Sequence, residues 1–152
     1  MDAIGVYTNN NRVIKSNKNV WFQVDVSYPV GFNIDISKYK EGDIVNAGSM
    51  LCYDYSLDKA FVINSNDTDK FNDVIGLTQS DIYIGKDVIS ATTNCVVKGI
   101  ISLDLVDNIP MEVVNNLKGI IFTKTVIEKG ITRTMSFNND FNNDMDIKVV
   151  NN

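Results

Sequence analysis

The sequence predicts an all-β fold: a barrel or sandwich of short antiparallel strands, with one short helix and extended polar termini. Three observations carry this expectation. Sixteen aspartates and twenty asparagines stand against only three glutamates, Glu41, Glu112 and Glu128, and Asp and Asn favour turns and caps over helix interiors. Apolar residues recur at two-residue spacing in several short runs, the period of a strand with one buried face. Turn residues separate these runs at short intervals, as in barrels and sandwiches.

The elements follow in order. Residues 8–19, TNNNRVIKSNKN, are polar apart from Val13-Ile14, so residues 1–19 read as an N-terminal arm that a partner would have to order. From Val20 the pattern alternates, with Val20, Phe22, Val24 and Val26 expected on one face and Gln23 and Asp25 on the other. Pro29 and Gly31 end that strand. Phe32, Ile34 and Ile36 alternate next, so the two strands are expected to form a hairpin. In KEGDIVNAGSMLCYDYSLDKA (40–60) the segments DIV and SMLCY require a turn at Asn46-Ala47-Gly48, where glycine supplies a positive φ. AFVIN (60–64) reads as a strand and SNDTDKFND (65–73) as a surface loop.

Residues 74–106 give VIGLT, DIYIG, DVISA and CVVKGIISLDLV, four further strand candidates. Gly99, inside the last, marks a bulge or a close backbone approach. One helix is predicted near 109–118: Asp107 or Asn108 as cap, Pro110 in the first turn, Met111, Val114 and Leu117 on one face, and Gly119 as stop. IIFTKTVI (120–127) returns to strand, and Lys129-Gly130 reads as a turn. The expected organisation is one β domain over 20–130 and a C-terminal tail over 131–152. That tail holds a tandem repeat, Phe137-Asn138-Asn139-Asp140 and Phe141-Asn142-Asn143-Asp144, whose spacing would put both phenylalanines on one helical face; Asn and Asp are poor helix formers, and an extended docking arm fits at least as well.

At 152 residues the chain is one domain long. Its net charge is −5 and its lysines are scattered, so the basic footprint of a nucleic-acid binder is missing. No apolar run reaches the length of a membrane span, and the start MDAIGVYTNNN lacks the pattern of a signal peptide, so synthesis in a cytoplasm is expected, with no membrane partner. The chain has no histidine, which excludes Ser-His-Asp and Cys-His catalysis and His-ligated zinc. Cys52 and Cys95 read as two buried thiols, not as a disulfide or a metal pair. No enzymatic activity, cofactor or metal is expected.

Local patterns that suggest chemistry have bland counterparts. Gly42-Asp43, Gly48 and Asp58-Lys59-Ala60 resemble the order of a lipoyl carrier hairpin, which would make Lys59 a swinging-arm lysine. The Gly48–Lys59 spacing is one residue longer than that family's, and a one-residue slip in a strand reverses the face of each later side chain. An ordinary solvated lysine is the simpler reading. Asn66, Asp67, Asp69 and Asp73 offer oxygen ligands for calcium, but no EF-hand glycine or twelfth-position glutamate accompanies them, so a solvated loop is expected. The same holds for Asp140, Asp144 and Asp146. Asp104 and Asp107 are a nominal carboxylate pair that nothing places in a cleft. Trp21 and Phe22 are adjacent in a strand and must point oppositely, one to the core and one to a surface able to bind protein.

A resemblance spans about two-thirds of the chain. It is carried by Ala47-Gly48 with Leu51, by Ile75-Gly76-Leu77 with Asp81, and by Val96-Val97-Lys98-Gly99. In this order the motifs resemble the small β domains of tailed-bacteriophage capsid decoration or auxiliary capsid proteins of the head-fibre base type. The resemblance implies a non-enzymatic virion protein on the capsid exterior. Its expected partner is the major capsid protein, with other head proteins and a homo-oligomer such as a trimer as further possibilities. The chain is too short for a fibre shaft, which favours a stabilising or anchoring role. A β-type module binding another protein or a carbohydrate is the alternative, and a Lys59 carrier domain is a more distant one. Exposed apolar anchors in polar arms are hidden most readily in a partner, so attachment is expected at Val13, Ile14, Trp21, Phe137 and Phe141.

Overall fold

A computed structural model describes residues 19–137 and 147–150. The strands are β1 (Trp21–Ser27), β2 (Phe32–Ile34), β3 (Ile44–Val45), β4 (Met50–Asp54), β5 (Lys59–Ile63), β6 (Val74–Thr78), β7 (Ile82–Tyr83), β8 (Ala91–Thr93), β9 (Cys95–Ser102), β10 (Ile120–Glu128), β11 (Ile131–Phe137) and β12 (Ile147–Val150). A 3-10 helix covers Thr68–Asp73, and one α-helix, α1, covers Met111–Asn116. The fold is all-β with one short α-helix, built on a curled mixed sheet. Among the described residues no helix is long and apolar enough to cross a membrane.

The main sheet runs β12-β11-β10-β9-β6-β4-β5-β2-β8, with β1 paired to β9, and β3 and β7 form a separate two-stranded sheet. Two pairs are parallel, β9 with β10 and β2 with β5, so the expectation of a purely antiparallel fold is corrected. For β9–β10 the physical reason lies in α1. Parallel neighbours need a long crossover, usually helical, and residues 103–119 with α1 supply it between β9 and β10.

The sheet is covered on both faces. Met50 and Cys52 of β4 enter one apolar cluster with Trp21, Phe71, Leu77, Ile101 and Phe122, whereas Leu51 enters a second with Ile34, Val45 and Ala60. Consecutive buried residues mark a strand buried on both sides. On the first face α1 contributes Val113 and Val114, and Leu117 follows at its C-cap. Burial of a Phe or Leu side chain stabilises by about 1.5–3 kcal/mol.

Several local expectations are corrected. β1 does not form a hairpin with β2; it lies antiparallel to β9, and β2 pairs with β5 and β8. DIV and SMLCY are both strands, yet β3 pairs with β7, and the hairpin in this region is β4–β5. Of the DVISA segment only Ala91 is in a strand, as the first residue of β8. The supposed surface loop 65–73 contains the 3-10 helix, whose Phe71 is buried in the core. Pro110 occupies the N-cap of α1 without a side-chain cap, and Met111 is exposed. The expected tail contains β11 and β12, which extend the sheet: Lys129 and Gly130 both adopt positive φ, at 52° and 78°, the conformation of a tight hairpin turn.

The turn at Gly48 is placed as expected and has a definite role. Gly48 has φ +81°, and a Cβ there would lie 2.5 Å from Cγ1 of Val106. Its amide donates to the Thr78 carbonyl at 2.8 Å. The buried Thr78 hydroxyl donates to the Asn46 carbonyl at 3.1 Å and accepts from the Ser49 amide at 3.0 Å. The turn before β4 is thereby tied to the end of β6, and buried Thr78 has its polar atoms satisfied.

Candidate functional site

The site begins with β1. Its register against β9 breaks twice on the β1 side: Val26 pairs with Lys98 and Val24 with Gly99, then Gln23 pairs with Ile100 and Trp21 with Ile101. Asp25 and Phe22 are the extra residues of two bulges. A bulge re-aims side chains, so strict alternation fails. Trp21, not the Phe22–Val24–Val26 set, enters the core.

Trp21 is 6% exposed, and its indole N–H donates to the Thr78 carbonyl at 3.2 Å. It therefore is not a surface anchor, contrary to its expected attachment role. The largest ring of the strand carries the most apolar area, and burying it with its N–H satisfied is the favoured solution. Phe22 is instead 64% exposed, Val24 37% and Val26 47%; Tyr28 and Val30 beyond them are also exposed. Five apolar side chains of one segment are thus exposed to solvent.

The other expected anchors are less informative. Val13, Ile14 and Phe141 lie outside the described residues, as does most of the tandem repeat. Phe137 is the last residue of β11, its backbone opposite Phe122, and its side chain is not described.

Of the carboxylates singled out by sequence, Asp67, Asp104 and Asp107 take part in the scaffold, and Asp140, Asp144 and Asp146 lie outside the described residues. Asp67 accepts from the Asn64 amide at 2.9 Å, closing the turn before the 3-10 helix. Asp104 accepts from the Thr125 amide at 2.9 Å, and Asp107 from the Asn46 side-chain amide at 3.1 Å. Asp35 and Asp54 are held below the ordinary carboxylate range, chiefly by hydrogen bonds from Ser37 and Ser56 respectively. Among the described residues no group of three potential ligands stands together. Lys59 is exposed at the first position of β5, opposite Asp54 and beside the Tyr55–Asp58 turn rather than at its tip.

Cys52 and Cys95 are free, buried thiols, as expected. Burial pushes Cys52 up to about 11 and Cys95 to about 12. Such thiols stay protonated and unreactive at neutral pH. Unfolding exposes them at their ordinary value near 9. Below pH 9 both states keep the proton and stability is unaffected. Above it the unfolded chain loses protons that the folded chain retains, so stability is lost as pH rises toward 12. We expect the denaturant midpoint to fall across this window in wild type and to fall less in Cys52→Ala/Cys95→Ala. Iodoacetamide should label neither thiol in the native protein at pH 8 and both in urea.

The signal for the exposed strip was present as the alternation itself; its direction was not, because bulges depend on non-local pairing. At the other end of the strip, Tyr28, Phe32, Tyr53 and Tyr55 form a chain of edge-to-face contacts, with ring centroids 5.2, 5.4 and 5.0 Å apart. These rings come from three separate segments, and no sequence pattern brings them together. Compared with family models, with curated proteins and with solved structures, the chain matches none.

Proposed function

We propose that the chain is a non-enzymatic virion protein that binds the outer surface of a tailed-phage capsid, with the major capsid protein as its partner. The observation that carries this reading is the concentration of exposed apolar side chains on one segment, Phe22, Val24, Val26, Tyr28 and Val30. Apolar side chains exposed close together on one segment are the kind of surface that a partner covers. The order of the motifs around Gly48, Gly76 and Gly99 supports the capsid as that partner. In this reading Phe22 replaces Trp21 as the anchor, and the net charge of −5 keeps the solvent-facing remainder from non-specific association.

The test is direct. Purified chain is mixed with capsids assembled from the major capsid protein of the same virus and sedimented. Wild type is expected to co-sediment to a saturable copy number. Phe22→Ser/Val24→Thr/Val26→Thr should fold normally and bind about tenfold or more weakly, because apolar anchors dominate interface energetics. Wild-type chain left in the supernatant would contradict the capsid reading.

A further inference from the structure

A cleft of about 370 Å3 lies between the β1–β2 connection and the β4–β5 hairpin, lined by Tyr28, Val30, Phe32, Asn33, Tyr53 and Asp58 among others. Its walls are aromatic rings set steeply to one another: Tyr28 and Phe32 meet at 85°, Phe32 and Tyr53 at 63°. One carboxylate enters it, and among the described residues no lysine or arginine lines it.

The carboxylate is positioned for the cleft rather than spent on the turn. Asp54 organises the hairpin turn, accepting from the Ser56 amide at 2.9 Å, the Ser56 hydroxyl at 2.6 Å and the Leu57 amide at 3.3 Å. Asp58, held at φ 53°, accepts instead from the Tyr53 hydroxyl. Ring and carboxylate are thus fixed together. An ionised carboxylate accepts and cannot donate, and aromatic faces are electronegative. Both features select a flat, electropositive donor.

We infer that this cleft binds a guanidinium group, that of an arginine on a partner protein. Arginine fits better than lysine because its guanidinium is planar and weakly hydrated, stacks on rings and forks to a carboxylate. Charge complementarity comes from Asp58 and from the acidic chain as a whole. The inference rests on the cleft's own lining, of which Tyr28 and Val30 also belong to the exposed apolar set.

The test is an NMR titration of the full chain with N-acetyl-arginine amide, using N-acetyl-citrulline amide as neutral isostere. Saturable shifts are expected at the amides of Phe32, Tyr53 and Asp58, with a dissociation constant on the order of 10 mM. Citrulline should bind about tenfold more weakly, and Asp58→Asn, which keeps a residue tolerant of positive φ, should erase the preference for arginine. Equal shifts from both probes, no shifts at these residues, or an unchanged preference in Asp58→Asn with a native amide spectrum would each overturn the inference.

Discussion

Gly99→Ala is expected to destabilise the protein by about 3 kcal/mol or more, because a Cβ there meets backbone and not a yielding side chain. The nearest atom is the Gln23 carbonyl oxygen of β1, with the Val24 Cα at 3.3 Å behind it. On its other edge Gly99 donates its amide to the Gly119 carbonyl at 3.2 Å. Gly119 is confined in the same way, its missing Cβ facing the Val97 carbonyl of β9. Three strands therefore converge at one glycine, between two β1 bulges. Native stability of a domain is about 5–15 kcal/mol, so a loss of this size removes about a fifth of it or more. Urea denaturation followed by circular dichroism checks this; a loss within 0.5 kcal/mol would show that β1 shifts freely, against the described packing.

Trp21→Ala should cost about 3–5 kcal/mol, the range for removing a large buried aromatic side chain. The lost hydrogen bond is the smaller part, since the Thr78 carbonyl keeps the Gly48 amide as a donor. Trp21→Phe should therefore recover most of the stability, leaving a deficit of about 1–2 kcal/mol. Phe22→Ser, one position along, should change stability by no more than about 0.5 kcal/mol, as expected for an exposed site. The same denaturation series reads all three. Equal losses at positions 21 and 22 would contradict the assignment of one ring to the core and the other to the surface.

The features legible in the sequence were those set locally. The Asn46–Gly48 turn, the strands 50–54, 59–63, 74–78, 95–102 and 120–128, and the helix before Gly119 follow from turn chemistry and short-range periodicity. Partner choice was not legible, because β1 finds β9 some seventy residues away and such pairing is decided by packing. The helix between two long apolar strands did contain the signal for a parallel crossover. Phe71 was hidden in a polar stretch, where composition outweighed the one residue that reaches the core. The strip on β1 was visible as alternation but assigned to the wrong side, and the arginine-type cleft, assembled from rings at positions 28, 32 and 53, had no local signature.

The central claim, that the chain is carried on the outside of a virus head, is tested most directly by quantitative mass spectrometry of particles purified from infected cells. The chain is expected at a fixed, stoichiometric number of copies per capsomer. Particles that contain the major capsid protein but no more than traces of this chain would contradict it.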